Sequence, residues 1–144
     1  MDFSKFGYGK VADHIEELKD IVGPENVMTA MHDRAMRAAS CAPFPMQRWE
    51  DHIPDVVVLP GSKEEVSEVM KLANKYKLPV VPRGAGCGLA DGAFPLNKGI
   101  CLDMKRMNEI LEVDDINRTV TVQPGVNMQE LNKVLDKVGM YYPG

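Results

Sequence analysis

The apolar residues of this chain fall into runs and periodic patterns that predict strands and helices in turn. Val56-Val57-Val58-Leu59 is a continuous apolar run, which is typical of a strand covered on both faces. Ser62 and Glu65 then have the three-residue spacing of a helix capping box. Apolar positions recur behind them at helical spacing, namely Val66, Val69, Met70 and Ala73. Leu78–Val81 is a second apolar run, so strand, helix and strand predict a right-handed crossover and a parallel pair.

The segment before this unit is predicted to be helical at first and irregular later. Lys10–Val22 has apolar residues on one helical face and ends at Gly23-Pro24. A helical turn is predicted around Met31–Ala39, and the prolines that follow it indicate extended structure as far as Pro54. We expect Glu25–Pro54 to wrap the core rather than to build it.

The segment after the second strand predicts another strand, a hairpin and a last helix. Gly99–Asp103 is the strand, and Glu109–Asp114 with Thr119–Gln123 forms the hairpin. Asn127, with Glu130 three residues later, begins the helix. Its predicted buried face consists of Leu131, Val134, Leu135 and Val138.

These elements predict an α+β fold, with a small, partly parallel sheet that contains a βαβ unit and a hairpin and is flanked by helices. We divide the chain into residues 1–54, an N-terminal helix and wrapping segment, and residues 55–144, which hold the sheet. The 144 residues suffice for one compact domain.

A glycine-rich loop follows the second strand of the βαβ unit. The string Pro82-Arg83-Gly84-Ala85-Gly86-Cys87-Gly88-Leu89 leads to a fourth glycine at Gly92. Glycine accepts positive φ and lets the backbone approach a ligand, and successive N–H groups in such a loop can form an anion-binding nest. Arg83 adds a positive charge at the mouth of the loop. A phosphate group is the expected guest, and the alternative is an ordinary flexible surface loop.

Two common phosphate-binding motifs do not match this loop. A Walker loop ends in Gly-Lys-Ser or Gly-Lys-Thr, which is missing here. A Rossmann fingerprint that begins at Gly84 requires a third glycine where Leu89 stands, and it requires a helix directly behind the loop. Pro95 and Gly99 disfavour that helix.

Composition and charge narrow the function further. The net charge of −4 argues against nucleic-acid binding as the main role. No apolar run approaches the ~20 residues of a membrane helix. The three cysteines have no CxxC spacing, which indicates a reducing, cytoplasmic setting and makes metal binding by them improbable. His14, His32 and His52 lie outside the glycine loop and are predicted to have no catalytic role.

The glycine loop and four strings behind it resemble the FAD-binding module of the vanillyl-alcohol oxidase type, also called the PCMH-type FAD-binding domain. The strings are Gly92-Ala93 with Pro95-Leu96, Gly99–Asp103 with Met107-Asn108, Thr119–Val126, and Tyr141-Tyr142-Pro143. Within that superfamily the chain most resembles the glycolate oxidase FAD-binding subunit and the D-lactate dehydrogenases. Cys87 and Asp91 depart from the pattern, because these relatives usually have Thr and Gly there.

This resemblance implies non-covalent FAD as the cofactor, because relatives that attach FAD covalently often have a histidine in this loop and none is present here. The implied cofactor-binding residues are Pro82, Arg83, Gly84, Ala85, Gly86, Cys87, Gly88, Leu89, Gly92, Pro124, Gly125, Tyr142 and Pro143. It assigns no catalytic base. It also implies a second FAD-binding subdomain, a substrate-binding cap domain and an electron-acceptor protein as partners, so we expect this chain to be the N-terminal portion of a longer flavoprotein and inactive alone.

The implied reaction is the oxidation of a 2-hydroxy acid by hydride transfer to flavin. Two other functions stay open at this point. The chain could be a stand-alone domain that binds another phosphate ligand or a protein partner. It could instead belong to an FAD-dependent alcohol or sugar-lactone oxidase.

Overall fold

The computed structural model describes residues 7–39 and 49–143, which are organised around a sheet of four strands. The strands are β1 (Val27–Met28), β2 (Val56–Val58), β3 (Val80–Arg83) and β4 (Ile100–Asp103). Their spatial order is β1-β2-β4-β3. β2, β4 and β3 run parallel, and β1 pairs with β2 in the antiparallel direction. The predicted α+β class with a partly parallel sheet is confirmed.

β4 separates the two strands that the crossover helix joins, so β2 and β3 are parallel but are not neighbours. Ile100, Cys101 and Leu102 are each at most 2 % exposed, which suits a central strand covered on both faces. β3 contains Pro82, which has no N–H to donate to a neighbouring strand and is therefore tolerated best at an edge. The compositions of β4 and β3 explain why β4, although it comes later in the chain, lies between β2 and β3.

The helices are α1 (Ile15–Val22), α2 (Met31–Arg37), α3 (Lys63–Tyr76) and α4 (Met128–Leu135). The helix predicted from Lys10 begins as a 3-10 turn over Val11–His14. The cap of α3 is confirmed, because the Ser62 hydroxyl accepts a hydrogen bond from the N–H of Glu65 at 3.2 Å. The Glu65 carboxylate accepts in return from the N–H of Gly61, one residue before the cap, at 2.7 Å.

The segment predicted to wrap the core, Glu25–Pro54, also builds part of it. Its strand β1 extends the sheet, and Val27 of that strand belongs to the main buried cluster. Three apolar side chains of the preceding predicted helix belong to the same cluster, namely Val11, Leu18 and Val22. They pack with residues of β2, α3 and β4 in the same cluster. The two predicted parts of the chain therefore share one hydrophobic core.

The hairpin and the last helix form next to this sheet as predicted. β5 (Ile110–Asp114) and β6 (Thr119–Val122) pair antiparallel. The Asp114 carboxylate accepts from the backbone N–H and the side-chain amide of Asn117, at 2.9 and 2.6 Å, and these hydrogen bonds lower the pKa of Asp114. Asn127 caps α4 by accepting from the N–H of Gln129 at 2.8 Å. The expectation for Val138 is wrong: it is 45 % exposed, because a 3-10 turn replaces the α-helix after Leu135.

Candidate functional site

The glycine loop leaves the carboxyl end of the sheet, where ligands commonly bind in parallel α/β structures. Arg83, the last residue of β3, is the register partner of Asp103, the last residue of the neighbouring β4. We define two parts of the loop: the proximal half is residues 84–86, and the distal half is residues 87–92. The two halves differ in what surrounds them.

The proximal half is packed against protein. Gly86 has a φ of +74°, and a Cβ built there would collide with the Arg83 guanidinium. A Cβ built on Gly84 would lie 3.5 Å from the carbonyl oxygen of Pro124, which is ordinary contact. Among the four loop glycines, only Gly86 has the positive φ for which glycine was expected; in the distal half the left-handed conformation falls on Asp91 instead, with φ of 54°.

The distal half is open. A Cβ built on Gly88 or on Gly92 would meet no atom of residues 7–39 or 49–143 within 4 Å, and Cys87 and Leu89 are exposed. The loop closes on itself where the N–H of Asp91 donates to the Gly88 carbonyl at 3.4 Å. Within residues 7–39 and 49–143, no backbone carbonyl accepts a hydrogen bond from the backbone N–H groups of residues 85–90. Donors without a backbone acceptor at the sheet's carboxyl edge match the requirements of a bound anion.

The turn at Pro124 and Gly125 lies directly beside the proximal half. The N–H of Gly125 donates to the Met107 carbonyl at 2.7 Å, and a Cβ at this position would collide with the carbonyl oxygens of Met104 and Met107. The contact between Gly84 and Pro124 thus brings together two parts of the predicted cofactor site that are about forty residues apart in the chain.

Tyr142 and Pro143 lie in a different place, next to α4. The side chain of Asn132 binds the backbone of Tyr142 on both sides, with its oxygen 2.8 Å from the N–H and its nitrogen 3.0 Å from the carbonyl. Tyr141 and Tyr142 line an open cleft with the hairpin turn and the end of α4, and they are 73 % and 50 % exposed. This cleft includes Thr119 at the start of β6, whereas Pro124 follows the other end of that strand.

A buried ion pair beneath the loop was missed by the sequence analysis. The Nε and Nη2 atoms of Arg37 donate to one carboxylate oxygen of Asp103 at 3.1 and 3.0 Å, and the two residues are only 8 % and 1 % exposed. The Nη1 atom of Arg83 donates to the Arg37 carbonyl at 3.2 Å. The sequence feature that could have indicated this ion pair is Asp103, because a carboxylate that directly follows a buried apolar run requires a partner.

Burial in the sheet also changes the pKa of the Cys101 thiol, which lies in β4. Burial raises the pKa of Cys101 to about 11, and the neighbouring Asp103 carboxylate contributes in the same direction. The three histidines lie elsewhere. His14 stacks on Tyr76, His32 pairs with Asp33, and His52 is hydrogen-bonded to the Leu96 carbonyl at 2.9 Å.

Comparison with known proteins identifies the family. A family model described as "FAD binding domain" matches residues 54–144. The chain belongs to this family of FAD-binding domains. FAD is accordingly the cofactor of this domain, and the exposed amide-lined loop at the sheet edge suits the phosphates of that cofactor.

The relatives by sequence include enzymes named for 2-hydroxy acids. The chain is 34 % identical over 128 residues to glycolate oxidase subunit GlcD of Bacillus subtilis, covering 89 % of this chain and 26 % of the relative. It is 40 % identical over 94 residues to the mitochondrial D-lactate dehydrogenase [cytochrome] of Arabidopsis thaliana, covering 64 % of this chain and 16 % of the relative. The FAD-binding domain thus spans about a quarter or less of the length of these relatives.

Solved structures support the same fold. Alkyldihydroxyacetonephosphate synthase matches with a TM-score of 0.76 and 29 % identity, over 92 % of this chain and 28 % of that chain. p-Cresol methylhydroxylase matches with a TM-score of 0.77 over 88 % of this chain and 24 % of that chain; at 22 % identity it supports the fold alone. In the described part of the FAD-binding domain, no helix has the length and apolar character needed to cross a membrane.

Proposed function

We propose that the backbone of residues 85–90 binds the pyrophosphate of FAD. The observation that carries this proposal is a run of backbone N–H groups at the carboxyl edge of the sheet that donate to no backbone carbonyl among the described residues. The neutral amides can converge on phosphate oxygens without a side chain between them, because Gly88 and Gly92 leave the space outside the backbone open. Pro82, Arg83, Gly84, Pro124 and Gly125 shape the base of the site.

The role of the C-terminal segment is a second part of this proposal. Tyr142 and Pro143 would contact the isoalloxazine ring, supported by the exposure of Tyr142 and by the fixed position that Asn132 gives to its backbone. The cofactor would be held without a covalent bond, since no histidine lies in the glycine loop.

The complete protein is proposed to oxidise a 2-hydroxy acid, in keeping with the names of its relatives, glycolate oxidase and D-lactate dehydrogenase. Bound FAD would supply the hydride acceptor. The residues that recognise the hydroxy acid and remove its proton are proposed to lie in further domains of the same flavoprotein. An electron-acceptor protein would then reoxidise the reduced flavoprotein. The reducing setting indicated by the cysteines supports a cytoplasmic location, which fractionation of cells would test; one relative is mitochondrial by name.

A direct test compares Gly88→Val with a matched surface control in the intact flavoprotein. We expect Gly88→Val to lose bound FAD, because its side chain would occupy the space that the phosphates need. Ser67→Val, on the exposed side of α3, should retain FAD. The measurement is the flavin-to-protein absorbance ratio, together with the mass of the flavin released on denaturation, which also distinguishes non-covalent from covalent FAD.

One result would contradict the proposed cofactor site, and a different result would contradict the proposed substrate class. Full flavin occupancy in Gly88→Val would place the pyrophosphate elsewhere. Turnover of sugar lactones or simple alcohols, without turnover of glycolate or D-lactate, would overturn the substrate class and leave the cofactor site intact.

A further inference from the structure

We propose that Arg83 holds the glycine loop in shape from beneath and does not bind the phosphates of FAD. This inference rests on the proposed function, because it assigns the pyrophosphate to the loop backbone alone. It gives Arg83 a positioning role, although its charge and place at the mouth of the loop suggest a phosphate ligand.

The conformation of the Arg83 side chain is the first argument. Its guanidinium lies so close to Gly86 that a Cβ on Gly86 would collide with the Cζ, Nη2 and Nε atoms. The side chain is therefore folded back under the proximal half. Gly86, with its φ of +74°, bends the backbone over the guanidinium, so the two residues fit each other.

The hydrogen-bond partner of Arg83 is the second argument. Arg83 donates to the carbonyl of Arg37, the last residue of α2, at 3.2 Å. The final carbonyls of a helix lack partners within the helix, and a cation there is favourable. Arg83 thus satisfies the end of α2 and connects this helix to the loop.

The anchoring of Arg37 is the third argument. Its guanidinium is bound to Asp103, which is 1 % exposed, and the second carboxylate oxygen of Asp103 accepts from the N–H of Lys105 at 3.2 Å. Both oxygens of the carboxylate are therefore occupied without Arg83. The Arg37 carbonyl therefore belongs to a residue that is 8 % exposed and held by a buried ion pair, and from this anchored residue Arg83 can position the loop.

This arrangement makes a distinctive prediction for Arg83→Met in the intact protein. Met keeps much of the apolar length of the side chain but loses the donor and the charge. In the FAD-free form, we expect the hydrogen-bonded amide of Ala38, at the end of α2, to exchange hydrogen at least about tenfold faster, the change expected from losing one charge-assisted hydrogen bond. FAD binding should weaken, but its dependence on salt between 50 and 500 mM should stay the same as in the wild type, because no phosphate-binding charge has been removed.

The contrary result is equally clear. Unchanged amide exchange in the FAD-free variant, combined with a loss of the salt dependence of FAD affinity, would show that Arg83 is a phosphate ligand. Lys105→Met, which removes an exposed cation beyond the end of β4, is the control and should change neither quantity.

A double-mutant cycle tests the fit between Arg83 and Gly86 without any ligand. Gly86→Ala introduces a methyl that displaces the guanidinium and is also strained by its positive φ. In an Arg83→Met background the collision with the guanidinium is gone, so Gly86→Ala should lower the melting temperature less than it does in the wild type. Additive effects would overturn the inference. This cycle stays informative even if Gly88→Val shows that the phosphates bind elsewhere.

Discussion

The two halves of the glycine loop use glycine for opposite reasons. In the proximal half, Gly86 is required because protein atoms leave no room for a side chain. In the distal half, Gly88 and Gly92 face open space, so the folded chain alone does not require glycine there. A glycine without a steric reason in the protein is better explained by what binds next to it. The contrast therefore separates the residues that shape the loop from those that the proposed function places next to the ligand.

The largest loss of stability is expected when the Arg37–Asp103 ion pair beneath the proximal half is broken. Asp103→Asn leaves the Arg37 guanidinium buried without its counter-ion, which typically costs 3–5 kcal/mol, so we expect the free energy of unfolding to fall by about that amount. Urea unfolding of the FAD-free protein measures it. Asp136→Asn, at an exposed position after α4, is the control and should change stability by less than about 0.5 kcal/mol. A loss below about 1 kcal/mol for Asp103→Asn would show that the ion pair is not the base of the loop.

A smaller loss is expected at the turn that supports the proximal half from the other side. Gly125→Ala places a methyl against the backbone carbonyls of Met104 and Met107, which cannot rotate away as a side chain could. Overpacking of this kind costs roughly 1–3 kcal/mol. Gly84→Ala is the matched control, because its Cβ would only touch the Pro124 carbonyl at 3.5 Å. Equal melting temperatures for the two variants would mean that the turn at Gly125 yields easily and does not support the loop.

The same contrast explains which features could be predicted from the sequence. The caps at Ser62 and Asn127 and the hairpin depend on residues close together in the chain, and they form as predicted. The Arg37–Asp103 pair joins positions 66 residues apart, and no local pattern encodes it. The central place of β4 is not encoded by a local pattern either. It depends on how apolar each strand is on its two faces, and this shows only when the strands are compared.

The place of the glycine loop was predictable from the sequence, but its inner arrangement was not. Glycines behind a strand indicated the loop, and the family match includes it. Composition does not show which glycine has a positive φ or where the Arg83 guanidinium points, because both depend on the packing of α2 and Pro124 against the loop. Only the structure distinguishes the two halves.

The smallest effect on stability, and the sharpest test of the contrast, is expected from Gly88→Ala. The backbone at Gly88 is outside the positive-φ region, and the added methyl meets no atom of the described part of the chain within 4 Å. Where the native conformation suits alanine, this exchange stabilises by about 0.4–1 kcal/mol by reducing the freedom of the unfolded chain. Gly86→Ala should instead destabilise by at least about 1–2 kcal/mol, the usual cost of a left-handed conformation for a residue with a Cβ, because displacement of the Arg83 guanidinium adds to that cost.

FAD affinity should change in the opposite direction at Gly88. If the phosphates approach the backbone of the distal half, the methyl of Gly88→Ala takes space from them, so the variant should be slightly more stable without FAD and yet bind FAD more weakly. Thermal unfolding of the FAD-free protein and calorimetric titration with FAD measure the two quantities on the same samples. A destabilised Gly88→Ala would mean that the distal half is packed like the proximal half. An unchanged FAD affinity would mean that the phosphates do not come close to Gly88.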